Sequence, residues 1–199
     1  NYNVVVGDEA GTAITTGDYS TFVGYGAGDA INTADYNTAV GANALSADTK
    51  GNRSVAVGMN ALLAQNFTSS TDAYNVAVGM SAGAAVTTGT QNTLIGGLAG
   101  DAITTASFST ALGYASLSAN TTGAYNVALG TYSLLSNTTA AQNTAIGYAA
   151  LYDNTTGANN VAVGYLALEN NTTAANNTAV GYASLGANTT GDQNVAVGA

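Results

Sequence analysis

The sequence predicts an all-β fold, a parallel β-solenoid or β-roll of about twelve 17-residue coils. Three observations carry this. A glycine preceded by Val, Ile or Leu falls at Gly7, Gly24, Gly41, Gly58, Gly79, Gly96, Gly113, Gly130, Gly147, Gly164, Gly181 and Gly198. The interval between them is constant at seventeen, except for twenty-one between Gly58 and Gly79. A fixed period of this kind is the mark of a stacked repeat. Each unit is too short for two packed helices, and it is rich in glycine and β-branched residues, which suit bends and strands. Finally, two positions in the coil co-vary in size, as a shared interior would require.

The coil spanning 177–193 serves as the type. It opens with a short alternating strand, in which Thr178 and Val180 share one face and Asn177 and Ala179 the other. Gly181 then permits a bend that a side chain would resist. A second short segment, Tyr182 to Leu185, follows. Asn188-Thr189-Thr190-Gly191 reads as a turn, or as a third short strand ending in one. Rungs stacked about 4.8 Å apart would carry twelve coils through a rise of roughly 55 Å.

The co-variation concerns the ninth and twelfth residues of each coil. Where the ninth is Gly11, Gly28, Gly83 or Gly100, the twelfth is Ile14, Ile31, Val86 or Ile103. Where the ninth is Leu45, Leu62, Leu117, Leu134, Leu151, Leu168 or Leu185, the twelfth is Asp48, Gln65 or an asparagine. One large residue per coil, never two and never none, implies one interior slot in a close-packed core. A further alternation, Gly17, Ala34, Gly51, then Gly89, Ala106, Gly123, Ala140, Gly157, Ala174 and Gly191, suggests that the true unit is a pair of coils.

Composition excludes several function classes. The 199 residues include no His, Cys, Pro or Trp, and only two cations, Lys50 and Arg53, against a net charge of −9. A His-centred triad, a thiol nucleophile and an ordinary zinc site are therefore absent. A phosphate-tracking nucleic-acid surface needs many more cations. The acidic balance argues against anionic membranes, and no apolar run is long enough to span a bilayer. Neither enzymatic activity nor a cofactor is expected. The residues read as a single repeat domain, 1–199, with a four-residue insertion within 64–73. The chain begins and ends inside the repeat, so it is expected to be part of a longer fibre.

The strand motifs Arg53-Ser54-Val55-Ala56-Val57-Gly58, Tyr74-Asn75-Val76-Ala77-Val78-Gly79 and Gln193-Asn194-Val195-Ala196-Val197-Gly198 resemble the Ser-Val-Ala-Ile-Gly core of trimeric autotransporter adhesin heads. The longer form Asn143-Thr144-Ala145-Ile146-Gly147-Tyr148-Ala149-Ala150-Leu151-Tyr152-Asp153-Asn154-Thr155-Thr156-Gly157 is similar to repeats of phage tail-fibre proteins. The resemblance covers essentially the whole chain, although the period is longer than the usual one of the adhesin heads. It implies a homotrimeric fibre at an extracellular, cell-surface or virion location. The function expected is that of a rigid structural and adhesive spacer or head, with a host-surface glycan or protein as receptor. The alternative is a monomeric ice-binding or carbohydrate-binding β-solenoid. The row Ala39, Ala56, Ala77, Ala111, Ala128, Ala145, Ala162, Ala179 and Ala196 is expected on the outside, small and flat, as the contact between chains.

Several rows are candidates for binding. Tyr148, Tyr165 and Tyr182 stack on successive rungs with Tyr114 in the same row. They would either stack on sugar rings or seal the contact between chains. Phe67, in the Ser/Thr-rich insertion, is a candidate recognition point on a rigid scaffold. Asn120, Asn137, Asn154, Asn171 and Asn188 would form a vertical amide ladder, a structural role preferred over glycan attachment at their Asn-x-Thr sequons. Paired threonines such as Thr121-Thr122 and Thr155-Thr156 recur in register. Ice-binding solenoids usually carry Thr-x-Thr, and adjacent threonines on a strand face opposite sides. Asp18 and Asp35 lie one rung apart, but Asn52 ends that row and no metal site is expected.

Overall fold

The computed structural model describes residues 2–199. It is all-β, with no helix among the described residues. The strands are β1 (Val4–Val6), β2 (Thr21–Val23), β3 (Thr38–Val40), β4 (Gly51–Asn52), β5 (Val55–Val57), β6 (Thr71–Asp72), β7 (Val76–Val78), β8 (Thr93–Ile95), β9 (Thr110–Leu112), β10 (Val127–Leu129), β11 (Thr144–Ile146), β12 (Val161–Val163), β13 (Thr178–Val180) and β14 (Val195–Val197). Twelve of them form one parallel sheet in chain order; β4 and β6 form a separate parallel pair. Every pairing within the large sheet joins equivalent positions of neighbouring coils, as Thr144 pairs with Val161 and Ala145 with Ala162; the β4–β6 pair, Gly51 with Thr71, is shifted by one residue at the insertion. The chain is a parallel β-solenoid of about eleven turns at a 17-residue spacing.

Away from β4 and β6, only one strand per coil is regular. The remainder is turn, yet it is stacked as regularly as the sheet. Leu117 N–H donates to the Ser133 carbonyl, Thr121 N–H to that of Thr138, and Tyr125 N–H to that of Ser107. The turn geometry requires left-handed residues at fixed places. Leu45, Leu62, Leu117, Leu134, Leu151, Leu168 and Leu185, at the ninth position, all have φ between 49° and 55°. The glycine closing each strand is more constrained still: Gly41 has φ 135°, and a Cβ there would sit 2.6 Å from the carbonyl of Gly58 on the next rung. No side chain fits that backbone conformation and that approach together.

The interior reverses one expectation. Ala39, Ala56, Ala77, Ala111, Ala128, Ala145, Ala162 and Ala179 are fully buried inside the single chain, not displayed outside it. Ala196, on the last rung, is half-buried. The Gly bend returns the chain over the alanine side of the strand, so the flanking Thr and Val residues face outward. The alanine row therefore offers no contact surface to another chain.

The reason those residues are small is the slot the co-variation implied. The ninth-position leucines Leu45, Leu62, Leu117, Leu134, Leu151 and Leu168 are completely buried, as are Val86 and Ile103. A Cβ on Gly100 would lie 2.8 Å from Ile103 Cδ1 and 2.8 Å from Leu94 Cδ2. Three positions thus share the space: the strand centre, the ninth residue and the twelfth. Where the strand centre is Phe22 or Leu94, the ninth residue is Gly28 or Gly100. The Gly–Ala alternation also acquires a cause. A Cβ on Gly17 would lie 2.5 Å from the Ala34 carbonyl oxygen on the next rung, and the same clash recurs at Gly89, Gly123 and Gly157.

Candidate functional site

The first residue of every long strand is Thr or Val, and the last, from Val6 to Val197, is Val, Leu or Ile. These side chains form two parallel ranks on the outer face of the sheet, half-buried to exposed along its whole length. Leu112 is 46% exposed and Ile146 38%. Eleven rung steps of about 4.8 Å make this face roughly 53 Å long. A continuous apolar strip of that length is unusual on a surface bathed only by water.

Aromatic rows border the face on both sides. One lies two residues after each strand and includes Tyr25, Tyr114, Tyr148, Tyr165 and Tyr182. The expected ladder is present: Tyr148 and Tyr165 rings stack with centroids 5.3 Å apart and planes 13° apart, and Tyr165 and Tyr182 at 5.4 Å and 5°. Thr131 interrupts the row, but Tyr132 fills the gap edge-on between Tyr114 and Tyr148, at 5.7 and 6.0 Å. The rings face one another rather than outward. A sugar ring needs a free aromatic face, and within this stack the faces are largely taken, leaving edges and hydroxyls at the surface. At Tyr25 the neighbouring Glu9 carboxylate, by hydrogen bond and by charge, raises the phenol above its ordinary pKa.

The other row lies two residues before each strand and escaped the sequence reading as a whole. Its members are Tyr2, Tyr19, Tyr36, Arg53, Tyr74, Gln91, Phe108, Tyr125, Gln142, Asn159, Asn176 and Gln193. Every one has a planar terminal group. Tyr19 stacks on Tyr2 and on Tyr36 at 5.1 and 5.2 Å, and Phe108 on Tyr125 at 5.0 Å. The Arg53 guanidinium lies 4.7 Å from the Tyr36 ring centre and 5.8 Å from that of Tyr74. The signal was available as a shared flat geometry, not as a shared residue type.

Two ladders of buried amides run through the interior. Asn137 Nδ2 donates to Asn120 Oδ1 at 2.8 Å, Asn154 to Asn137 at 2.9 Å, Asn171 to Asn154 at 2.9 Å and Asn188 to Asn171 at 3.0 Å. Each also donates to a carbonyl further along its own turn, as Asn154 does to Gly157 at 2.9 Å. A second ladder, at the residue before each strand, was not anticipated. Asn92 Nδ2 donates to the Ala106 carbonyl at 2.9 Å, and its Oδ1 accepts from Ser109 N–H at 3.0 Å. Asn or Ser fills this position in all twelve coils, which is the signal that could have found it. The Nδ2 atoms of Asn143 and Asn177 have no acceptor among the described residues.

The paired threonines divide their roles. Thr121 Oγ1 donates to the Thr138 carbonyl at 3.0 Å and Thr155 to that of Thr172 at 3.0 Å, while Thr122 and Thr156 are exposed. The acidic pair is likewise engaged in the backbone, with Asp18 N–H donating to Asp35 Oδ1 at 2.7 Å. No cluster of three or more metal-ligating side chains occurs among the described residues.

The insertion is absorbed between Asn66 and Ala73, both in register with neighbouring rungs. Phe67 is only 6% exposed and therefore is not a surface recognition residue. It fills the coil in register against Gly51, where a Cβ would come 2.6 Å from its ring. The exposed part is Thr68, Ser69, Ser70 and Asp72. Both cations of the chain hold this bulge: Lys50 Nζ donates to the Thr68 carbonyl at 3.2 Å, and Arg53 Nε pairs with Asp72 at 3.2 Å. Beneath it lies a buried polar cluster. Asp48 Oδ1 accepts from Gly51 N–H at 3.0 Å, and its Oδ2 accepts from Gln65 Nε2 at 2.6 Å. Gln65 Nε2 also donates to Ser54 Oγ, and Gln65 Oε1 accepts from Asn75.

These features define a parallel β-solenoid with one long sheet, whose uncovered apolar face is edged by aromatic rows. Comparison of the chain with protein-family models, curated proteins and solved structures gave no match.

Proposed function

We propose that this chain is a structural and adhesive fibre segment, a rigid spacer or head that works outside the cell or on a virion and assembles as a homotrimer. The observation that carries the reading is the unbroken outward rank of Val, Leu and Ile that ends every long strand. A second copy of this chain is the occupant of matching length and chemistry. Three such faces brought together remove their apolar ranks from water, and the flanking aromatic rows rim the contact while staying open to solvent. The resemblance to trimeric adhesin heads points the same way. The alanine row has no part in the assembly. Receptor contact falls to surfaces away from the sheet face, of which the pinned bulge at 68–72 is the most distinctive.

Solution X-ray scattering tests this. The expected particle is a rod roughly 50 Å long whose cross-section holds three solenoids. A cross-section of one solenoid rejects the assembly.

A second reading is favoured by one observation. Thr21, Thr38, Thr93, Thr110, Thr144 and Thr178 point outward beside an apolar residue two positions on, giving two regular ranks on a flat face. An ice-binding monomer would use that face, not the adjacent threonines of the turn. Inhibition of ice recrystallisation by a monomeric sample would support it.

A further inference from the structure

We propose that the tyrosine stacks are sites of oxidative cross-linking, which staple neighbouring rungs through dityrosine bonds. In the stack of Tyr148, Tyr165 and Tyr182, and in that of Tyr2, Tyr19 and Tyr36, consecutive rings lie 5.1 to 5.4 Å apart with planes within 13° of parallel. All six are about half exposed or more, so an oxidant reaches them and the rings are free to tilt. The sequence has no Cys and no Trp, so one-electron oxidation falls on tyrosine; the two methionines take oxygen instead.

The co-reactant is hydrogen peroxide, delivered by a haem peroxidase. Each of two phenols gives up one electron and its hydroxyl proton, and the peroxide is reduced to two waters. The two phenoxyl radicals couple through a ring carbon beside each hydroxyl, forming one carbon–carbon bond. Each of those carbons then passes its hydrogen to oxygen, and both rings regain aromaticity. The chain loses two hydrogens per link. Such a bond ties neighbouring rungs, one full coil apart in sequence, and holds the stack against fraying.

The fold contains its own controls. Phe108 stacks on Tyr125 at 5.0 Å and 4°, but a phenyl ring has no hydroxyl hydrogen to lose. Tyr74 lies against Arg53 rather than another tyrosine.

The test is peroxidase and hydrogen peroxide on the purified native chain, read by blue dityrosine fluorescence and by mass spectrometry of cross-linked peptides. The expected links join Tyr165 to Tyr148 or Tyr182, and Tyr19 to Tyr2 or Tyr36, with none at Tyr74 or Tyr125. Tyr165→Phe should keep the stack and lose both links through that position. Phe108→Tyr should add a link to Tyr125. Links spread equally over Tyr74 and Tyr125, an absence of rung-to-rung links, or links only between chains would overturn the proposal.

Discussion

Gly28 has no side chain because the Phe22 ring occupies its place: a Cβ on Gly28 would lie 2.8 Å from ring carbons Cδ1 and Cε1. Phe22 stands at the centre of a strand where most coils have alanine, and Gly28 stands where most have leucine. The interior keeps its space filled rather than its residue type, and neighbouring coils share that space: a Cβ on Gly83 would meet Leu94 Cδ1 at 2.7 Å and Leu62 Cδ2 at 3.1 Å.

This rule makes a substitution in one coil depend on side chains in the same coil and in the next. Gly100→Leu alone would press a large side chain into Leu94 and Ile103, and should destabilise the chain by about 1–3 kcal/mol. The backbone is not the obstacle, since Leu117 adopts φ 55° at the equivalent place, against 56° for Gly100. Adding Leu94→Ala and Ile103→Asn recreates the alternative set in that coil and should recover part of the loss, since Leu94 Cδ1 also fills the space over Gly83. Urea denaturation of the single and triple variants checks this.

Asn154→Ala breaks the amide ladder at its middle. It removes the donation to Asn137 Oδ1, takes away the acceptor of Asn171 Nδ2 and strands the Gly157 carbonyl, all inside the solenoid. The loss should be about 2–4 kcal/mol, from three buried hydrogen bonds left unmade. Asn188→Ala, nearer the end, should lose less. Comparing the two urea midpoints measures the difference.

The strand-closing glycines from Gly7 to Gly181, each pressed against the next rung, should tolerate no side chain. Gly41→Ala puts a Cβ 2.6 Å from the Gly58 carbonyl group at φ 135°. A destabilisation above about 3 kcal/mol is expected, with hydrogen-exchange protection lost first in the rungs on either side.

Asp48 invites a misleading substitution. Asparagine occupies the equivalent position in five later coils, yet Asp48→Asn should destabilise by about 1–3 kcal/mol. Its new NH₂ would face Gln65 Nε2, and a Gln65 flip would then face Asn75 Nδ2. Asp48→Asn with Gln65→Asn returns the pair toward the later coils. Thermal melts of the single and double variants should show partial recovery.

The period, the glycine row and the shared interior slot were legible because each repeats, and repetition separates signal from accident. The direction of the strand faces was not. A three-residue strand alternates identically whichever side is inside, and Ala145 between Thr144 and Ile146 reads as a small residue suited to either. What decides it is the turn: the chain bends back over the alanine side, with no room there for anything larger unless the ninth residue gives way. Phe67 misled for a related reason. Its Ser/Thr-rich neighbours read as an exposed loop, but it precedes the bulge and still belongs to the coil. Asp48 and Gln65 carried no sequence sign of forming one buried network, since their contact spans two rungs.

The central claim is that the Val, Leu and Ile rank of the sheet, not the alanine row, joins copies of the chain. Native mass by light scattering tests it most directly, on the wild-type chain and on a Leu112→Asp, Ile146→Asp variant. The account predicts the mass of three chains, each 19.5 kDa, for the wild type. It predicts one chain mass, with unchanged β circular dichroism, for the variant. A single chain mass for the wild type, or three chain masses for both, would contradict it.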